Sequence, residues 1–386
     1  MVPTSPSPGG ATPADPSSAA HAAQDPSAAL AALAGEYWEG HLAANPLEAT
    51  AIGDRRYDHL LDDNTPEGRA RDRARLEAVL ARARAIPEAA LPAPDGLTRT
   101  ALIGEVENEL ALLACGLEEW TVDPLGGPPV RFFNVEAYQP VRTAGEAQAM
   151  VRRWEAMGSY LDRHVEDLRR GLAAGKVAVQ STVERVVSGL DDVLGRPDAE
   201  WALLNPLRVE RPDWPAAQRA AFAEDLARAV RERVRPALRR YLQFLKAEVL
   251  PRARPPERPG LAHVPGGEEC YRRLIRVHTS LDLAPEALHQ TGRREVARID
   301  AELEALGARV LGTGHRAELL RRLRTDPALY FTTRDEVAAK ARAALARAAA
   351  ALPGWFGVLP RAGCEVARMG AHEEQHSTIQ LVAQRP

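Results

Sequence analysis

The feature that most constrains this chain is the spacing of its large apolar residues, which recur at intervals of three and four through one segment after another. Leu76, Val79, Leu80 and Ala83 form one such set. Others are Leu102, Val106, Leu110, Leu113 and Leu117; Trp154, Met157, Leu161, Val165, Leu168 and Leu172; and Val183, Val186, Val187, Leu190 and Leu194. At 3.6 residues per turn each set lies along one side of a helix, with Arg and Glu on the outer face. No convincing run alternates apolar with polar residues, and no fixed-period repeat is visible. The pattern predicts an all-α, multi-helix protein with long ordered loops and no substantial sheet.

Residues 1–27 are rich in Pro, Ser, Gly and Ala and hold no large apolar residue after Val2, too little to offset their ordering entropy, so they read as a disordered tail. From 28 to 386 the chain reads as helical domain. The first helix carries Leu30, Leu33, Tyr37, Trp38 and Leu42 and stops at Asn45-Pro46, because proline pushes its predecessor out of the helical region. Residues 121–142, with Gly126-Gly127, Pro128-Pro129 and two adjacent phenylalanines, read as a long ordered loop of the kind that often serves a site. A second break over 196–215 carries Trp201 and Trp214. The longest helix is expected from Ala216 to Leu250, kinked or divided at Pro236. The proline-rich run 251–266 is the expected lobe boundary, and Thr333-Arg334-Asp335-Glu336 is a capping box that opens a later helix.

Composition narrows the function classes. With 386 residues, a net charge of -3 and only 5% aromatics, the chain offers no basic surface for nucleic acid. No stretch approaches the ~20 apolar residues of a membrane span, and no secretory signal is visible. The three cysteines, Cys115, Cys270 and Cys364, are far apart and odd in number, which argues against a disulfide framework and for a reducing, cytoplasmic setting.

The sharpest chemical signal is His372-Glu373-Glu374-Gln375-His376. On a helix His372 and His376 stand one turn apart and can grip one zinc ion, beside which Glu373 can serve as general base on bound water. A third protein ligand is needed, yet residues 377–386 contain no His, Asp, Glu or Cys, and Cys364 is the nearest upstream thiolate. The competing reading is a solvated, charge-rich turn. His278 continues the stripe of Tyr271, Leu274 and Ile275 and is expected to face inward, either as a hydrogen-bonded core residue or as a functional one. His289, His164, His59, His41, His263 and His315 carry less signal.

Four stretches carry a family resemblance: EYWEGHLAANPLEATAIGDRRYDHLLDD, GLAAGKVAVQSTVERVV, PGGEECYRRLIRVHTSLDLAPEALHQTGRREVARI and LPGWFGVLPRAGCEV. Together they resemble the bacterial DUF885 proteins from about residue 35 to 378, most specifically between Pro265 and Ile299. The resemblance implies a helical, zincin-like fold, zinc as cofactor, hydrolysis of peptide substrates, and Tyr271 and His278 as substrate-binding candidates. In that family the metal motif has the form His-Glu-x-x-Pro-Gly-His-His and lies downstream of the segment resembling Leu359-Pro360-Arg361. His372 to His376 therefore fall in a linker position, and the resemblance implies a chain that is C-terminally incomplete and lacks the catalytic helix. The alternative is a non-catalytic helical protein that binds a peptide or partner, or associates through an apolar face left uncovered.

Overall fold

The longest apolar stripe of the sequence becomes the axis of the largest core. A computed structural model describes residues 25–367, in which thirteen α-helices and no β-strand are found. The chain divides into two compact units, residues 1–287 and 288–386.

The first unit begins with α1 (Pro26–Ala44), α2 (Pro46–Ala51), α3 (Pro66–Ala85) and α4 (Ala93–Cys115). Leu30 and Leu33 of α1, Leu76 and Val79 of α3, and Leu102 and Val106 of α4 close into one apolar cluster. The larger cluster is built by α5 (Pro128–Tyr138), α6 (Ala144–Ala173), α7 (Gln180–Gly195), α8 (Ala216–Ala229) and α9 (Arg235–Phe244). Along α6, Met150, Trp154, Met157 and Leu161 are fully buried, each stabilising the fold by roughly 1.5–3 kcal/mol through apolar burial. A capping box between Thr143 and Glu146 starts that helix.

The expected long helix is continuous from α8 through α9, and its proline is absorbed by a change of winding. A π turn spans Val230–Val234, directly before Pro236. Proline lacks the N–H that would bond the carbonyl four residues back and its ring crowds that carbonyl; the wider turn relieves both defects. A second π turn, Leu245–Val249, precedes Pro251 in the same way.

Between the two clusters lies a polar core. Arg153 of α6 is fully buried and donates to the carbonyls of Tyr57 and Leu60, each at 2.7 Å, and to Gln139 Oε1 at 2.7 Å. Gln139 donates onward to the Asp58 carbonyl at 2.9 Å, and Asp58 accepts from the Thr50 hydroxyl at 2.7 Å. The segment GDRRYDHLLDD therefore wraps a single guanidinium, and that fixes α2 and the following loop to α6. At Gly171 the helix meets the Glu119 carbonyl so closely that a Cβ would lie 1.7 Å from it, which restricts the site to glycine.

Several sequence expectations need correction. Residues 121–142 are a loop only up to Gly127. Pro128 and Pro129 then occupy the first turn of α5, where a missing N–H costs nothing, and Phe132 and Val135 are buried by it. The break over 196–215 forms 3-10 turns, and Trp201, 2% exposed, donates to the Val193 carbonyl. The run 251–266 lies within the first unit, where Arg254 donates to the carbonyls of Val177, Arg258 and Gly260. Of the tail expected over 1–27, only residues 25–27 are among those described. They begin α1, with Asp25 accepting from the Ser27 N–H.

The second unit holds most of α11 (Pro285–Leu311), with α12 (Arg316–Thr325) and α13 (Arg334–Ala351). The turn between α11 and α12 is tight because a Cβ on Gly307 would lie 2.6 Å from the Leu319 side chain. The Thr333–Glu336 capping box opens α13 as its sequence implied.

Candidate functional site

Of the residues singled out in the sequence, Tyr271 and His278 fall among those described. His372, Glu373 and His376 lie outside the described residues. Tyr271 and His278 stand on α10 (Gly267–Thr279), which packs chiefly against α4. Cys270 and Ile275 are buried in that contact, whereas Tyr271 remains 40% exposed and His278 is exposed in the last turn. His278 was expected to face inward; it is exposed instead, two positions past Arg276, which pairs with Glu107 of α4 at 3.0 Å. His289 on α11 is likewise exposed.

The cysteine reading also changes. Cys115, at the end of α4, and Cys270, in the first turn of α10, form a disulfide across 155 residues with their Cα atoms 5.1 Å apart. Both are buried, and Cys364 is free and exposed. Sequence separation hid the pair, because α10 returns to α4 only after the whole α5 to α9 bundle has been built.

The densest group of titratable side chains lies elsewhere, on α1, α2 and α4. His41 places Nδ1 3.4 Å from Glu109 and Nε2 3.3 Å from Glu48. The Tyr37 hydroxyl donates to the same Glu109, and the Trp38 ring stacks on His41 with centroids 5.7 Å apart. Glu109, half-buried, is held below the usual carboxylate range by hydrogen bonds from His41 and Tyr37 in spite of its burial. Its hydrogen bond to His41 raises the imidazole above its ordinary value, partly opposed by desolvation. Burial first, then Glu109, pushes the Tyr37 phenol up, so the group keeps its proton. Sequence reasoning ranked His41 low because its partner Glu109 is 68 positions away; the α1 helix spacing alone gave no sign of it.

His164, on α6, is a core histidine. Its ring lies 5.6 Å from Tyr241 and its Nε2 has no hydrogen-bond partner, and burial depresses it to about 4. It stays neutral at physiological pH.

As a test of fit for zinc, no three His, Cys, Asp or Glu side chains come together in a metal-holding group among the described residues. Both nitrogens of His41 already face carboxylates, which suits a hydrogen-bonded network better than a metal site.

With this geometry in view, the family profile described as "Bacterial protein of unknown function (DUF885)" matches residues 46–384. The chain belongs to the DUF885 family. No curated protein shows significant similarity to it. Among solved structures, the DUF885 chain is similar to "the putative lipoprotein from Colwellia psychrerythraea", with a TM-score of 0.78 at 19% identity. The superposition covers 92% of this chain and 64% of that one, so the chain spans about two thirds of its neighbour's length. That likeness establishes the shared fold, and the helical expectation holds throughout.

The buried His164 and the partly exposed His41 oppose one another in pH. His164, depressed in the folded state, contributes stability that is present above pH 6.5 and is lost as pH falls toward 4. His41, raised in the folded state, contributes stability that is complete below pH 6.5 and is lost as pH rises through its folded value. Urea melts across pH 4 to 9 should show His164→Phe flattening only the acid limb and His41→Gln only the neutral-to-basic limb. A shift of both limbs in either variant contradicts the assignment.

Proposed function

We propose that this DUF885 chain serves zinc-dependent hydrolysis of peptide bonds. The sequence spacing of His372, Glu373 and His376 carries the reading, since on a helix two histidines four positions apart would share a face with a carboxylate beside them. Zinc held there would activate a water for attack on a carbonyl. A third ligand has to come from outside residues 372–386. Metal analysis of protein purified without added zinc, with hydrolysis assayed on a mixed peptide pool, tests the proposal. The expected result is stoichiometric zinc and cleavage that falls at least about a hundredfold in Glu373→Ala. A metal-free chain that cleaves nothing would sink it.

A second reading, a non-catalytic protein that binds a peptide or partner, draws on the second unit. Val296, Ile299, Val310, Tyr330, Phe331 and Trp355 are all more than half exposed there, an apolar surface suited to association. A monomeric, zinc-loaded, hydrolytic chain contradicts this second reading.

The disulfide bears on where either activity takes place. The cytoplasmic expectation rested in part on unpaired cysteines, and Cys115 and Cys270 are joined. We therefore place the protein in an oxidising compartment, a reading in keeping with its structural likeness to "the putative lipoprotein from Colwellia psychrerythraea". Unreduced, denatured protein from its native source should titrate one thiol, that of Cys364, and three after reduction. Three thiols before reduction contradict the assignment.

A further inference from the structure

The first half of α6 and α8 flank an open cavity of about 310 Å3 that none of the sequence motifs touches. One wall is aromatic and held in place. Trp214 donates its indole N–H to the Arg142 carbonyl at 3.1 Å and meets Phe222 edge-on, with centroids 6.0 Å apart. The Arg211 guanidinium lies 5.2 Å from the Trp214 ring centre and 5.5 Å from that of Phe222. It is anchored in turn on the carbonyls of Val141 and Pro206, at 3.0 and 2.7 Å. The apolar wall therefore exists before any ligand arrives, which lowers the ordering cost of binding.

The rim is charged and divided. On the α8 side Asp225 and Arg228 satisfy one another at 2.6 Å. On the α6 side Arg152 and Glu155, one turn apart, both line the cavity, and neither side chain has a hydrogen bond or ion pair with any described residue. The same is true of the Gln148 and Gln218 side chains beside them. Further along, α6 and α9 pair their charges, as Arg240 does with Asp162 at 2.7 Å. A cation, a carboxylate and two amides left without partners around an apolar floor match a ligand that carries both charges, peptide amides and an apolar side chain.

We propose that this groove binds a dipeptide with free ends. Its carboxylate pairs with Arg152, its ammonium with Glu155, and its apolar side chain rests against Val151, Trp214 and Phe222. The guanidinium can take the carboxylate through two parallel N–H donors, and a dipeptide suits a cavity at the small end of ligand sites. This inference rests on the peptide-handling reading but not on zinc, since every group involved lies on α6, α8 and the segment before α8.

Titration calorimetry of leucyl-leucine into the full chain, with chelator present, tests it. Saturable binding is expected, weakened about tenfold or more by N-acetylation or C-amidation of the dipeptide, and similarly by Glu155→Gln or Arg152→Gln. Both side chains are exposed and unpaired, so these variants should unfold at the wild-type temperature. Ala221→Trp, which fills the cavity from an exposed position, should abolish binding. Absence of saturable binding overturns the proposal, as does binding indifferent to blocked ends or to both glutamine variants. Free leucine binding as tightly as the dipeptide overturns the ligand size. Binding as described in a chain that holds no zinc and cleaves nothing leaves the groove standing and removes the peptidase; hydrolysis without groove binding does the reverse.

Discussion

A guanidinium enclosed on all sides has to be matched by acceptors, and the Arg153 side chain organises the first unit through that requirement. Desolvation pulls it down to about 10, and the nearby charges of Asp58 and Asp62 only partly offset that pull. It remains protonated at neutral pH because its fork is filled by the Tyr57 and Leu60 carbonyls and the Gln139 side chain. Two of these acceptors come from the loop after α2 and the third from the residue that caps the end of α5, so the charge is satisfied only when the two segments sit together. Arg153 thereby ties α2 and its following loop, together with the end of α5, to α6 through polar chemistry. It also fixes the rotation of α6, whose next residue outward is Arg152 on the rim of the groove.

The sequence was legible wherever one face of a helix decided the outcome. The stripe through Trp154, Met157, Leu161 and Val165 is buried as its spacing implied, and the Thr333–Glu336 box opens its helix. It was less legible where long-range partners decide. α5 was missed because Gly126-Gly127 and two prolines masked a helix of eleven residues, although proline in a first turn favours a helix. Cys115 and Cys270 lie 155 positions apart, and nothing local marks either as the other's partner. His278 read as inward from its stripe alone, yet in the fold it is exposed while Ile275 is buried.

The groove between α6 and α8 offers fixed aromatic surface and unmatched charge, the features of a binding site. The cluster of Tyr37, His41, Glu48 and Glu109 joins α1, α2 and α4 through the Tyr37–Glu109 hydrogen bond and the contacts of His41 with two carboxylates. The metal-type motif belongs to residues 372–376. Family membership connects these parts without assigning roles to them, since DUF885 is defined by sequence and not by activity.

Hydrogen exchange tests the organising role of Arg153 most directly, read at the amides of Asp58 and Leu60, which bond the carbonyls of Arg55 and Tyr57. In the wild-type chain these loop amides should exchange as slowly as those in the middle of α6. In Arg153→Met, which removes the guanidinium donor from the Tyr57 and Leu60 carbonyls and from Gln139, they should exchange at rates near those of an open loop while α3 and α4 keep their protection. Fast exchange of the loop in the wild-type chain, or equal protection in both proteins, would contradict the claim that one buried charge holds this part of the fold together.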